Sequence, residues 1–303
     1  MLSYRHAFHA GNHADVLKHV ALLAMLRYLA QKETPLLAVD THAGGGRYVL
    51  DSPEAQKLGE FREGIGRIWQ GVLQANDAPP AVADYLASVR ELNPDGVLRH
   101  YPGSPWLMRQ ALRRTDSLRF FELHSKEART LARHIPPRDK IRVAQDDGLT
   151  LLKSLLPPPS RRALVFIDPS YEVRADYAVV LDTLRDALRR FSTGVYAVWY
   201  PRLARLEARQ LPERLRRLGA PWLDATLDVR AVSPDGLGMY GSGLFVLNPP
   251  WTLAATLREC LPWLAARLGE DAGAGWNVME KTNDSNSEPD IGRSDPGHPG
   301  FPR

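Results

Sequence analysis

Residues 164–171, LVFIDPSY, set an acid, a rigid turn and an aromatic directly behind an apolar run. Leu164, Val165, Phe166 and Ile167 read as a strand buried on both faces. In open α/β sheets ligands bind beyond the carboxyl ends of the strands, so Asp168, Pro169, Ser170 and Tyr171 stand where a site is built. The chemistry such a set suits is the activation of an amino group on a nucleobase, a poor nucleophile because its lone pair is delocalised into the ring. An oxygen of Asp168 and the backbone carbonyl of Pro169 could each accept one N–H and draw that lone pair out of conjugation. Tyr171 could stack on the base and fix its plane. Alone, the tetrapeptide fits a buried strand closed by an Asx-type turn equally well.

The elements around it must decide. Residues 36–47, LLAVDTHAGGGR, form a short apolar strand, an acid and a glycine cluster that permits close approach of backbone to a ligand. The cluster is not GxGxxG, which argues against a dinucleotide and leaves room for a nucleoside cofactor without phosphates. Residues 118–123, LRFFEL, predict a strand ending at Glu122, placed to accept ribose hydroxyls. Ile141–Ala144 predicts a third strand, followed by Asp147, Gly148 and a helix from Leu149 to Leu156. Asp40, Glu122, Asp147 and Asp168 thus close successive strands, as expected of a cofactor and substrate cleft.

Residues 51–100 have helical periodicity broken at Ala78-Pro79-Pro80, too long for a simple crossover, and predict an inserted helical subdomain. Past Tyr171 the pattern predicts helix 178–191, strand 194–199, an arginine-rich helix 202–218, antiparallel strands 223–232 and 243–247, and helix 253–268. Asn248-Pro249-Pro250-Trp251 resembles the DPSY element and is a rival site, read here as a structural turn with Trp251 packed. Residues 1–276 are expected to form one domain, with 277–303 a disordered tail.

The chain has 303 residues, 44% hydrophobic and 24% charged, the balance of a globular protein. No run approaches the ~18 apolar residues of a membrane span. The N-terminus lacks a secretory apolar core, so a cytoplasmic location is expected. One cysteine, Cys260, excludes an internal disulfide and a cysteine zinc cluster. The net charge of +4 mildly favours a phosphate-bearing partner. Nine arginines between Arg185 and Arg217 tilt the same way, although solvated helix faces account for most of them individually. His6, His9, His13 and His19 with Asp15 have partial metal-ligand spacing, but Gly11-Asn12 interrupts them and no metal is expected. A polar segment lining a cleft, with Lys18 and His19 on the first helix turns, fits better.

An acid-lined strand series with Asp-Pro-x-Tyr after the fourth strand resembles the class I S-adenosylmethionine-dependent amino-methyltransferases, a Rossmann-like α/β fold. The segments YRHAFHAGNHADVLKH, DTHAGGGRY, YPGSP, VWYP and NPPW are similar to one family in particular. It is the ribosomal RNA large subunit methyltransferase J family, which methylates an adenine N6 in 23S rRNA. The match runs from Met1 to about Trp263. The resemblance implies that S-adenosylmethionine contacts Lys18, His19, His42, Ser104, Glu122, Asp147 and Gly148. It assigns catalysis to Asp168, with Pro169 and Tyr171, and places Tyr4 and His6 near the target base. It further implies a monomer acting on free or early-assembly 23S rRNA, with no membrane and no metal. Ser170 departs from the usual Asp-Pro-Pro-Tyr, which removes some rigidity and none of the groups assigned chemistry.

The enzyme alternative is a DNA adenine methyltransferase, whose sizeable target-recognition domain is not found in an insertion this short. The non-enzyme alternative is an RNA-binding module with a decayed site at Ser170. A dehydrogenase is disfavoured for want of the dinucleotide loop.

Overall fold

The computed structural model describes residues 5–72 and 77–282. A 3₁₀ turn at His6–Phe8 leads into α1 (His13–Leu29), which Asn12 caps by accepting the Asp15 backbone N–H at 3.0 Å. Thirteen of its seventeen residues are buried, because its sequence is apolar well beyond one stripe and other elements enclose it. There follow β1 (Leu37–Asp40), β2 (Arg47–Val49), α2 (Pro53–Leu58), α3 (Ile65–Val72), α4 (Pro80–Glu91), β3 (His100–Pro102) and α5 (Ser104–Ala111). The alternating middle of the chain is β4 (Ser117–Phe121), α6 (Ser125–His134), β5 (Ile141–Ala144), α7 (Gly148–Leu155), β6 (Ala163–Ile167) and α8 (Ala175–Arg190). Last come β7 (Val195–Arg202), α9 (Leu206–Arg216), β8 (Trp222–Asp228), β9 (Gly241–Leu247), α10 (Leu253–Leu268) and β10 (Gly275–Lys281).

Eight strands form one sheet in the order β10-β8-β9-β7-β6-β1-β4-β5. From β5 to β7 neighbouring strands are parallel, and β9 and β10 run antiparallel to their neighbours. The chain leaves β1 for β4 and β5 on one side, then returns to β6 on the other. The crevice at the carboxyl ends of β1 and β6 is therefore the topological switch point where such sheets bind ligands. Every residue of β1 and β6 is buried, as their unbroken apolar runs require. The Rossmann-like α/β architecture expected from the sequence is present.

The helical insertion lies between β2 and β3, which pair antiparallel and fasten its two ends together. Gly103 donates its N–H to the Gly46 carbonyl at 2.9 Å, and a Cβ on Gly103 would fall 3.1–3.3 Å from the Gly46 backbone. α4 packs back onto α1, where Arg27 grips Asp84 through two hydrogen bonds of 2.8 and 2.6 Å.

Two expectations fail here. Asn277 does not open a disordered tail: residues 275–281 are β10, paired with β8 along its full length. Only Val278 of that strand is fully buried, so its apolar signal was too sparse to read, and the edge of β8 supplies the ladder. Residues 283–303 of the expected tail lie outside the described residues. Trp251 is not packed but 79% exposed. Asn248, in the left-handed region at φ 52°, anchors that turn by donating its amide N–H to the Ser192 and Gly194 carbonyls. No helix among the described residues is long and apolar enough to cross a membrane.

Candidate active site

Two clefts meet at the switch point. The first holds about 540 Å³ and is lined by Lys18, His19, His42, Gly44, Ser104, Glu122 and Glu127. The second holds about 830 Å³ and is lined by His9, Asn12, Glu60, Trp199, Leu203, Arg205 and Met239. His6, Lys18, Asp168 and Ser170 border both.

The wall between them is a chain of charges. Asp15 and Lys18 are three apart on α1 and so share a face. Lys18 Nζ lies 2.8 Å from Asp15 Oδ1 and 2.5 Å from Asp168 Oδ2. Asp15 Oδ2 accepts the Gly11 N–H at 2.7 Å and is 2.9 Å from His6 Nε2. Burial alone would raise the fully buried Asp15, but His6 and Lys18 hold it well below the usual carboxylate range. Trp199 backs the ammonium, its ring centroid 5.3 Å from Nζ.

The floor of the first cleft comes from the turn after β1. Asp40 is wholly buried and accepts from Ser104 Oγ at 2.6 Å and the His42 N–H at 3.1 Å. Burial raises Asp40 to about 7 despite those bonds, with the Asp168 charge adding to the rise. Burial likewise lowers His42 to about 4 and His19 to about 3, so both rings are neutral at physiological pH. His19 Nδ1 is 2.9 Å from the Tyr101 hydroxyl. Glu122 accepts the Gly44 N–H at 2.8 Å and the His124 N–H at 2.7 Å, bracing the glycine turn. Burial raises its pKa as well, with Glu127 adding to the effect. Gly44 has φ 59°, and a Cβ there would fall 2.2 Å from the Tyr48 hydroxyl oxygen, so only glycine fits.

Of the residues singled out in the sequence, His6, Lys18, His19, His42, Ser104, Glu122 and Asp168 come together around the first cleft. Asp147 and Gly148 stand behind it. Asp147 caps α7 by accepting the Leu149 and Thr150 N–H groups, while its charge reaches His42. Gly148 abuts β1, since a Cβ there would fall 2.6 Å from Thr41 Cα. Pro169 is buried directly after β6, and Tyr4 lies outside the described residues.

Tyr171 departs from expectation. It is 1% exposed, donates its hydroxyl to the Trp199 carbonyl at 2.9 Å and packs 4.5 Å from the Tyr177 ring. No ring face is free for a base to stack on, and its backbone at φ 52° instead fixes the turn behind Asp168. The N-terminal histidines also have other duties. His6 pairs with Asp15, and His9 lies 2.9 Å from Glu60, whose bond and charge lift His9 above its ordinary value against the opposing effect of burial. Sequence reasoning missed Asp15 as a bridge and Trp199, Leu203 and Met239 as a wall; the i, i+3 spacing of Asp15 and Lys18 was the available signal.

The family model for ribosomal RNA large subunit methyltransferase D, RlmJ, matches residues 33–280. The chain is 44% identical over 288 residues to Ribosomal RNA large subunit methyltransferase J of Escherichia coli strain K12, spanning 92% of this chain and 100% of that protein. It is 41% identical over 280 residues to the protein of the same name in Haemophilus influenzae, spanning 92% of this chain and 98% of the other. A crystal structure of a Legionella pneumophila protein shares 33% identity and superposes with a TM-score of 0.82, covering 91% of this chain and 99% of that one. With the fold, the switch-point clefts and these relatives in agreement, the chain belongs to the ribosomal RNA large subunit methyltransferase J family and is a methyltransferase.

Proposed function

We propose that the protein transfers a methyl group from S-adenosylmethionine to the exocyclic N6 of a single adenine in 23S rRNA. The observation that carries this reading is that Asp168 borders both clefts, so a donor in one and a base in the other would meet at its carboxylate. The first cleft fits the donor by its chemistry. Its acids are Glu122, Glu127 and Asp168; Arg5 lies 3.6 Å from Glu127, Lys18 is held between Asp15 and Asp168, and among the described residues Glu122 has no cation beside it. Such a lining suits a cation bearing hydroxyls and repels the phosphates of a dinucleotide.

Glu122 and the glycine turn hold the ribose, and Ser104, His42 and His19 shape the rest of the wall. Asp147 and Gly148 fix the α7 end behind it. S-adenosylmethionine, when bound, supplies an electrophilic methyl group on a sulfonium. Asp168 accepts one N6–H, which localises the lone pair on nitrogen, and its charge would stabilise the positive nitrogen as the N–C bond forms and the methyl–sulfur bond breaks, its electron pair leaving on a neutral thioether. The same carboxylate is placed to receive the proton that nitrogen then sheds. Lys18 aims the carboxylate, and the Pro169 carbonyl takes the second N–H. Tyr171 holds the turn, while His6 and Tyr4 flank the base. Free or early-assembly rRNA is the substrate form in this reading, met in the cytoplasm by a monomer.

The test is transfer from tritiated cofactor to deproteinised rRNA, followed by digestion and nucleoside chromatography. Label in N6-methyladenosine at one position is expected. Label in another nucleoside, or equal incorporation into duplex DNA, would overturn the reading.

A further inference from the structure

The nine arginines of 185–217 are the obvious RNA-binding stretch, and the structure largely neutralises them. Arg185, Arg189, Arg190, Arg202, Arg216 and Arg217 each form an ion pair with a nearby carboxylate, most within one helix. Arg205, Arg209 and Arg214 form no such pair among the described residues, and a denser group of cations without carboxylate partners lies at the amino-terminal ends of β4 and β5. A groove of about 1130 Å³ there is lined by Arg109, Arg113, Arg114, Arg138 and Lys140, with two acids, Asp116 and Asp139. Asp116 is 1% exposed and already bonded to the Leu36 N–H and to Arg113. Among the described residues, no carboxylate lies within ion-pair distance of Arg109, Arg114, Arg138 or Lys140.

The other face of the same two strands adds to the charge. Arg119 and Arg142 are register partners in this parallel pair, and Arg119 donates to the Leu118 and Lys140 carbonyls at 2.9 and 3.1 Å. Burial, and then Arg142, push the Arg119 guanidinium below its ordinary value.

We propose that this groove is a second contact for the rRNA, gripping phosphates remote from the target adenine. The inference rests on the rRNA reading above. Arginine forks match phosphate oxygens in pairs. β4 has five residues, so its two ends are only about 16 Å apart. An extended polyanion entering the cleft at the carboxyl end reaches the groove by following the β5 edge.

The experiment compares the wild type with R138E/K140E on the groove and with R189E/R190E on α8, where the arginines are already paired. Methyl transfer is measured on a long 23S fragment and on a short oligonucleotide holding only the target adenine and its neighbours. For R138E/K140E, KM on the long fragment rises tenfold or more, while kcat, cofactor affinity and KM on the short RNA stay unchanged. The slope of log K against log salt becomes shallower by roughly two, since each phosphate left without its cation takes ~0.9 off the slope. R189E/R190E leaves all of these within twofold. An unchanged KM on the long fragment would overturn the inference, including the case in which the groove serves an acidic protein. A wild type that methylates neither RNA would overturn the functional reading itself, and the groove's assignment with it.

Discussion

Lys18 Nζ stands 2.5 Å from Asp168 Oδ2 across 150 residues of chain, with Asp15 on its other side. One ammonium thus ties the Asp168 carboxylate, at the border of both clefts, to a wholly buried one. Lys18→Met removes the cation and leaves Asp15 buried with His6 and the Gly11 N–H, both on Oδ2, to offset its charge. A loss of about 3–5 kcal/mol in unfolding stability is expected, the range for breaking one side of a buried pair. Asp15→Asn added to Lys18→Met recovers much of it. Urea denaturation of the three proteins measures this, and a single variant as stable as the wild type would show that the pair is not needed for folding.

Asp168→Ala and Asp168→Asn separate two roles of the carboxylate. Both keep the fold, because Asp168 is only partly buried and Asp15 still holds Lys18. Turnover on rRNA falls by several orders of magnitude in Ala. Partial activity in Asn indicates hydrogen-bond acceptance by the amide oxygen, and equal loss in both indicates that the charge matters. Near-wild-type turnover in Ala would remove Asp168 from the mechanism.

Glu122→Ala tests the cofactor wall. Losing a charged acceptor for the ribose costs roughly 1.5–3 kcal/mol of binding. The Gly44 and His124 N–H groups lose their acceptor too, so the glycine turn loosens. Calorimetric titration with S-adenosylmethionine is the measurement, and an unchanged Kd would clear Glu122 of the assignment.

Asp40 and His19 shift the pH dependence of stability from opposite sides. Asp40 titrates at about 7 when folded and near the usual ~3.9 when unfolded. Its contribution is complete below the lower value and is lost as pH rises to 7. His19 titrates at about 3 when folded and near ~6.5 when unfolded. Its contribution is complete above the higher value and is lost as pH falls. In melting curves between about pH 4 and pH 8, stability should therefore rise more steeply with pH below 7 in Asp40→Asn, because the opposing Asp40 loss is gone. A variant with the wild-type slope there would show that Asp40 does not titrate in that window.

The parallel half of the sheet was legible because β1, β4, β5 and β6 are short, mostly apolar runs ended or closely followed by acids, unbroken in β6 and interrupted by one arginine in each of β4 and β5. Those acids, with His6, Lys18 and His42, gave most of the first cleft. What the sequence could not reveal depends on distance in three dimensions. The i, i+3 spacing links Asp15 to Lys18 but does not say that the pair is buried, and nothing local distinguishes Tyr171 from an exposed aromatic; burial by α1's neighbours and by Tyr177 decides both. β10 was lost for a related reason, since the edge of β8 and not its own pattern makes it a strand. The arginine run is less basic than it reads, because six of its nine arginines pair with carboxylates, most of them about one helical turn away.

α1, enclosed on all sides, rests on β9 and α10 as well as on α4 and α5. It leaves the ribosome ahead of the other α-helices, and two of its supports are among the last elements to follow. During synthesis the face that β9 and α10 cover therefore stays exposed until the chain is nearly complete, a non-local closure of the slow-folding kind. The same delay governs Lys18, which cannot seat between Asp15 and Asp168 before its helix docks. A nascent chain cut short of Gly241 carries every residue of the charge chain but lacks the β9 and α10 supports of its helix.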